Sequence, residues 1–234
     1  MLLLVSMFTY EISQCHCKNN IIPSKDNIIK WYQDYMDEHI SSLSMKGVKK
    51  VFLYNKEEAF VSTVTIEPRG IPFMNSTILI IPEKKQAREI YHEDGTRMFN
   101  DIINIYDLDH DGISEIEFSL WSMAQGEESE YRYLVQFDGW KPIILHEAEM
   151  YGNSACCSQT KEEAGNCGEC KFQNVLWKFN DLDGDGVDDL IEETTTQKGP
   201  NPDKLTTTKT TAYYLFKNKK FIKVDDPSKL HLPQ

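Results

Sequence analysis

Basic residues are in short supply. The chain has 25 lysines and arginines against 37 aspartates and glutamates, a formal net charge of −12. A nucleic-acid surface needs Lys and Arg clustered on one face, and this balance excludes one. Signatures that would carry chemistry are missing too: there is no Gly-x-Ser-x-Gly elbow, no phosphate loop and no Gly-x-Gly-x-x-Gly. His146-Glu147 opens like a zinc-protease motif, but Met150 stands where its second histidine belongs. Long apolar runs are also lacking. Met1 to Phe8 is too short to span a bilayer as a helix, so no transmembrane helix is expected.

What the chain does have is acid in a pattern. Asp181-Leu-Asp183-Gly-Asp185-Gly-Val-Asp-Asp189 alternates its carboxylates and then turns on glycine. Asp107-Leu-Asp109-His-Asp111-Gly-Ile-Ser-Glu115 repeats the pattern with Glu115 in the last place. Such density is repulsive in water and becomes a cage around a hard dication. Calcium takes roughly six to eight oxygen ligands, and alternate carboxylates on a curled loop supply them. Two Ca2+ sites are therefore expected. Their side-chain ligands would be Asp107, Asp109, Asp111 and Glu115, and Asp181, Asp183, Asp185 and Asp189, with backbone carbonyls from Ile113 and Val187.

An EF-hand begins with the same spacing, and Glu192 even stands at the twelfth position of the second loop. The first loop has Phe118 there, and the eighth positions, Ser114 and Asp188, are polar. The flanks decide. Ile103 and Ile105 alternate before one loop, Trp177 and Phe179 before the other, and Ile116, Phe118 and the Thr194–Thr196 run follow. That is strand periodicity, where an EF-hand needs helices. The whole pattern of strand, D-x-D-x-D-G-x-x-[DE]-[IL], strand resembles the calcium motif of FG-GAP (integrin α-type) and VCBS repeats. The resemblance covers the two loops and their flanking strands. It implies blades of the β-propeller kind.

Beyond the loops the repeat continues. Tyr131 to Phe137, a turn at Asp138-Gly139 and Trp140 to Leu145 follow the first; Ala212 to Phe216, a turn at Lys217-Asn218 and Lys219 to Val224 follow the second. Each unit reads strand, acidic loop, strand, strand, tight turn, strand, with a period of about 75–80 residues. The units span about 98–150 and 171–226 of one β-rich domain at 19–234. A hairpin at Val51 to Ile66 could be a relative without the acid. The fold class expected is mainly β: blade-like antiparallel sheets, as a partial propeller or an irregular sandwich, packed on one N-terminal helix. That helix is predicted over Ser24 to Met45, where Ile28, Trp31, Tyr32, Tyr35, Met36, Ile40 and Leu43 recur at helical steps, with Gly47 as its stop. Pro82 to His92 reads as a short charged segment with helical character.

Between the units, residues 152–170 carry Cys156, Cys157, Cys167 and Cys170. Two disulfides are expected in an exported chain, and tetrahedral zinc is the alternative. Export rests on residues 1–18, whose apolar start can serve as a signal peptide. Cys15, after Ile12-Ser13-Gln14, loosely follows the pattern of a lipid-anchored bacterial protein. A buried N-terminal strand is the competing reading. The functional expectation is a non-enzymatic, calcium-binding module, secreted or held at the cell surface, with a glycan or an envelope protein as partner. Alternatives are a carbohydrate-active envelope enzyme using calcium as scaffold, or an inhibitor of a cell-wall hydrolase. Trp121, Trp140 and Tyr151 are the aromatics a glycan platform could use, although each is first read as core.

Overall fold

A computed structural model describes residues 22–36, 43–66, 74–90, 101–124, 127–152 and 169–232. The apolar start, Cys15, Cys156, Cys157 and Cys167 lie outside these residues. Cys170 lies within them and is buried. The protein is mainly β: among the described residues, helix α1 (Lys25–Met36) is followed by twelve strands. Ser24 caps the helix: its Oγ accepts from Asn27 N–H at 3.3 Å and its carbonyl from Ile28 N–H at 3.1 Å.

The strands form three successive antiparallel meanders. The first is β1 (Leu43–Phe52), β2 (Glu58–Ile66), β3 (Met74–Ile81) and β4 (Gln86–Glu89), a separate four-stranded sheet in sequence order. The second is β5 (Asp101–Tyr106), β6 (Glu115–Ala124), β7 (Glu127–Asp138) and β8 (Lys141–Gly152). The third is β9 (Cys170–Asn180), β10 (Asp189–Gly199), β11 (Thr206–Lys217) and β12 (Lys220–Lys223). The last two units join as one eight-stranded sheet; among the described residues two pairs make the junction, Tyr151 with Gln173 and Gly152 with Phe172. Beyond that seam the strands part and the two halves fold face to face.

Alternation along the strands dictates this stacking. In the first unit Phe60, Val64, Ile78 and Ile80 point one way, onto Ile28 and Tyr32 of the helix. Ala59, Val61, Leu79 and Ile81 point the other way, onto Ile116, Phe118, Val135 and Phe137 of the second unit. Leu134, the neighbour of Val135, faces across to Val175, Trp177, Leu190 and Phe216 of the third. Helix and units thus stack in chain order, each burying one period-two face against the next.

Three local expectations change. Leu43 to Met45 belong to β1 rather than to the helix. Gly47 is no helix stop: it takes φ +66° where the register slips between Lys46 and Lys49, the bulge that glycine allows. Pro82–Lys84 is a single 3-10 turn, and the chain then enters β4.

Candidate metal centre

Each acidic loop turns the chain between the first two strands of its unit: β5 into β6, and β9 into β10. The two loops build the same object. Their last acids are buried and lock the loop from inside. Glu115 accepts from Leu108 N–H at 2.7 Å and from Gln136 Nε2 at 2.5 Å. Asp189, one methylene shorter, accepts from Leu182 N–H at 2.9 Å and from Phe216 N–H at 2.8 Å. Burial pushes the Glu115 carboxyl up to about 7, against the pull of its two donors. Burial raises Asp189 as well, opposed by its backbone donors.

The first acid of each loop gathers the glycine end. Asp107 accepts from Gly112 N–H at 3.2 Å, and Asp181 accepts from Gly184, Gly186 and Asp185 N–H at 2.7, 2.9 and 3.2 Å. Asp111 and Asp185 cap the following residues, accepting from Ile113 N–H at 2.8 Å and Val187 N–H at 3.0 Å. Gly112 and Gly186, at φ +79° and +86°, make the left-handed bend that a side chain resists.

The result is convergence. Oxygens of Asp107, Asp109 and Glu115 lie within 4.8 Å of one another, and so do those of Asp181, Asp183 and Asp189. These six acids could hold two metal ions. In both loops the central acid has one oxygen engaged and one orphaned. Asp109 Oδ1 and Asp183 Oδ1 are buried with no hydrogen-bond partner, a costly arrangement for a carboxylate unless a cation completes it.

Two lysines that the sequence reading passed over stand against these acids. Lys219 Nζ lies 2.5 Å from Asp109 Oδ2 and also contacts Asp111. Lys217 Nζ lies 2.7 Å from Asp183 Oδ2 and also contacts Asp185. Hydrogen bonds to Asp183 and Asp185 raise the Lys217 ammonium pKa. At Lys219 desolvation opposes, and the bonds to Asp109 and Asp111 win, raising it too. Partial burial would raise Asp111, but the Lys219 contact and the Ile113 amide hold it below its ordinary range. Lys217 does the same for exposed Asp185, with the Val187 amide as the second cause.

Backbone bonds tie the corners of successive units together. Ser114 N–H donates to Phe52 carbonyl at 2.9 Å and Asp188 N–H to Leu108 carbonyl at 2.8 Å; at the third unit the C-terminal segment takes the same place, His231 N–H donating to Leu182 carbonyl at 2.7 Å. The polar eighth positions of the loops are therefore where one unit is stitched to the one before it. Ser114 adds its Oγ, which accepts from Phe52 N–H at 3.0 Å.

Other candidates sort themselves by position. Glu192 does not close the second loop. It sits on β10, accepting from Trp177 Nε1 at 3.1 Å and paired with His146 Nε2 at 2.9 Å. Although burial would raise its pKa, these partners hold it low. His146 is thus committed to a polar knot between the second and third units, ringed by Trp177, Tyr214 and Phe221. Trp140 packs on the core between the first two units, with the Arg88 guanidinium 4.6 Å above its ring. Trp121 departs from the core reading, being 49% exposed. It lines a cleft of about 510 Å³ with Glu130, Tyr151, Gln173, Asn174 and Gln197, beside the seam where β8 and β9 part. Among the described residues no helix is long and apolar enough to cross a membrane. No protein-family model matches the chain, and neither a curated protein nor a solved structure does.

Proposed function

We propose that the chain is a calcium-binding, non-enzymatic module working outside the cell, in which each ion pins the corner between two strands of one unit. The observation that carries this is the twin arrangement of three converging carboxylates around a buried, unpartnered Asp oxygen. Calcium fits better than magnesium because it tolerates an irregular, all-oxygen cage, whereas magnesium holds to a strict octahedron and keeps its waters. Asp107, Asp109, Asp111 and Glu115, and Asp181, Asp183, Asp185 and Asp189, supply the carboxylates; Ile113 and Val187 supply carbonyls. The likeness to FG-GAP and VCBS repeats belongs to the same reading, supported by four-stranded units that stack in chain order. An extracellular setting suits it, because modules there bind calcium at about 10⁻⁴–10⁻³ M and stay filled.

The binding half of the proposal rests on the Trp121 cleft. An exposed indole and a tyrosine beside amide side chains offer apolar faces and neutral hydrogen-bonding edges, the combination a glycan presents in return. Calorimetric titration of the chain with CaCl2 tests the metal reading. Two ions should bind, one being lost in Asp109→Asn and the other in Asp183→Asn. Absence of calcium uptake would overturn it. A glycan panel probed with the wild type and with Trp121→Ala tests the cleft: binding lost in the variant supports it, and equal binding by both removes it.

A further inference from the structure

We infer that Lys217 and Lys219 are resident cations of the two loops, and that a divalent ion enters each loop by exchange with its lysine. This rests on the calcium reading above and adds how the sites are held before metal arrives.

The same geometry occurs twice. Each ammonium bridges the third and fifth positions of a loop, Asp109 with Asp111 and Asp183 with Asp185. Each leaves the other oxygen of the central acid, Asp109 Oδ1 or Asp183 Oδ1, buried and unpartnered. A lysine presents a single positive charge on a flexible stem. It therefore offsets part of the repulsion among four carboxylates without satisfying the cage. A monovalent ion offers no more charge than the ammonium already there. A divalent ion does, and it can take up the orphaned oxygens as well.

Placement in the fold argues against coincidence. Both lysines come from one tight turn, in which Lys217 pairs with Lys220 around Asn218 and Lys219. The turn has the backbone that such hairpins require, with φ +53° and +62° at its two central residues. Lys217 reaches the loop of its own unit, and Lys219 reaches back to the loop of the unit before. The second unit has the corresponding turn, Asp138 paired with Lys141 around Gly139 and Trp140. Its Trp140 also faces the preceding unit, which has no acidic loop, and there it packs into apolar core. Its Asp138 holds the register position that Lys217 holds in the third unit, and the second unit's loop takes its lysine, Lys219, from the third. At the position that faces the preceding unit the turn residue thus matches what it meets, lysine against acid and tryptophan against apolar core, and each acidic loop receives one lysine.

The test is calcium titration and calcium-free thermal unfolding of the full chain and of Lys219→Gln, Lys217→Gln and Lys219→Arg. A competitor that also stabilises the empty loop has opposite effects on the two readouts. Each glutamine variant should bind one of its two ions about three- to tenfold more tightly, and should unfold at lower temperature without calcium. Lys219→Arg, which keeps the charge, should stay near the wild type in both. Unchanged or weaker binding in the glutamine variants, with two ions still bound by the wild type, would overturn the exchange and leave the calcium sites standing. If no variant takes up calcium, the site reading falls and the exchange falls with it. A drop in unfolding temperature on Lys→Gln would then mark the lysines as permanent counter-ions.

Discussion

The first unit and the two that follow differ at one corner. In the first, the turn from β1 to β2 closes on its own backbone: Leu53 N–H donates to Glu57 carbonyl at 3.0 Å and Lys56 N–H to Leu53 carbonyl at 2.7 Å. Asn55 Oδ1 completes it by accepting from Glu57 N–H at 3.0 Å. In the second and third units the same corner is an acidic loop held by carboxylates. All three corners lead into four-stranded meanders of similar build, and all three are stitched into one stack. A meander of this kind therefore does not need four acids to turn. The acids add electrostatic cost to two corners whose counterpart does without it, which is the physical case for a cation there. The first unit is a control built into the molecule.

The sharpest way to break that comparison is to remove an acid that locks a loop from within. Asp189→Ala leaves two buried amides, those of Leu182 and Phe216, without acceptors. At about 1–3 kcal/mol for each orphaned group, the variant should lose about 3–5 kcal/mol in calcium-free denaturant unfolding, and more with calcium present, because a ligand of the site goes as well. Asn55→Ala, at the corresponding exposed turn of the first unit, should cost well under half of that.

Calcium removal comes next in size. A site filled at a hundred times its dissociation constant adds about 2.7 kcal/mol of stability. Hydrogen exchange resolved by residue should show this gain at the amides of Leu108, Gly112, Leu182 and Gly186, and no change at Leu53 and Lys56. Equal protection of all three corners would mean that the ions stabilise the stack as a whole rather than its acidic corners.

The strand–loop–strand corners were legible because their signal is local: alternating apolar residues on either side of a fixed run of acids. The first unit was only half legible. Without an acidic loop nothing in the spacing marks Val51 to Ile66 as the start of a full meander, and β4 is a four-residue strand behind a proline turn. Leu43 extended a helical pattern begun at Ile28, yet it pairs with Ile66 in β1, tertiary pairing overriding local periodicity. Of the site, the ligating acids could be read and their partners could not. Lys219 lies 110 positions from Asp109, a contact that only the stacking creates, and Gln136 reaches Glu115 from the neighbouring strand β7, a contact set by strand pairing rather than by the acidic motif. A usable hint was present, however. Two lysines flank an asparagine in a turn whose repeat counterpart reads Asp138-Gly139-Trp140, within a chain short of basic residues.

Acidity sharpens the contrast further. In the calcium-free protein Glu115 keeps its proton up to about pH 7, above its ordinary value of 4.5. Below pH 4.5 the group is neutral folded or unfolded and exacts nothing. As pH rises from 4.5 towards 7, the unfolded chain releases the proton and the folded one holds it, so stability falls across that window. The loss should be about 1–2 kcal/mol after allowance for relaxation of the loop, and Asp189, also raised, pushes the same way. Saturating calcium should flatten the slope by favouring the ionised carboxylate. Glu115→Gln should flatten it without calcium. If metal-free stability rises between pH 5 and 7 instead, burial does not dominate at Glu115.

The smallest effect compares the two acidic loops with each other. At their fourth positions one has His110 at φ +55° and the other Gly184 at φ +79°. Glycine takes this left-handed conformation freely, and a side chain there costs about 1 kcal/mol. A Cβ added at Gly184 would meet nothing within 4 Å, so Gly184→Ala isolates the backbone cost from any clash. It should destabilise the calcium-loaded protein by about 1 kcal/mol. His110→Gly relieves the same strain but gives the unfolded chain more freedom, so its net gain should stay below about 1 kcal/mol. A large loss in His110→Gly would show instead that the imidazole contributes to its loop, and the two corners would then differ in more than their backbone.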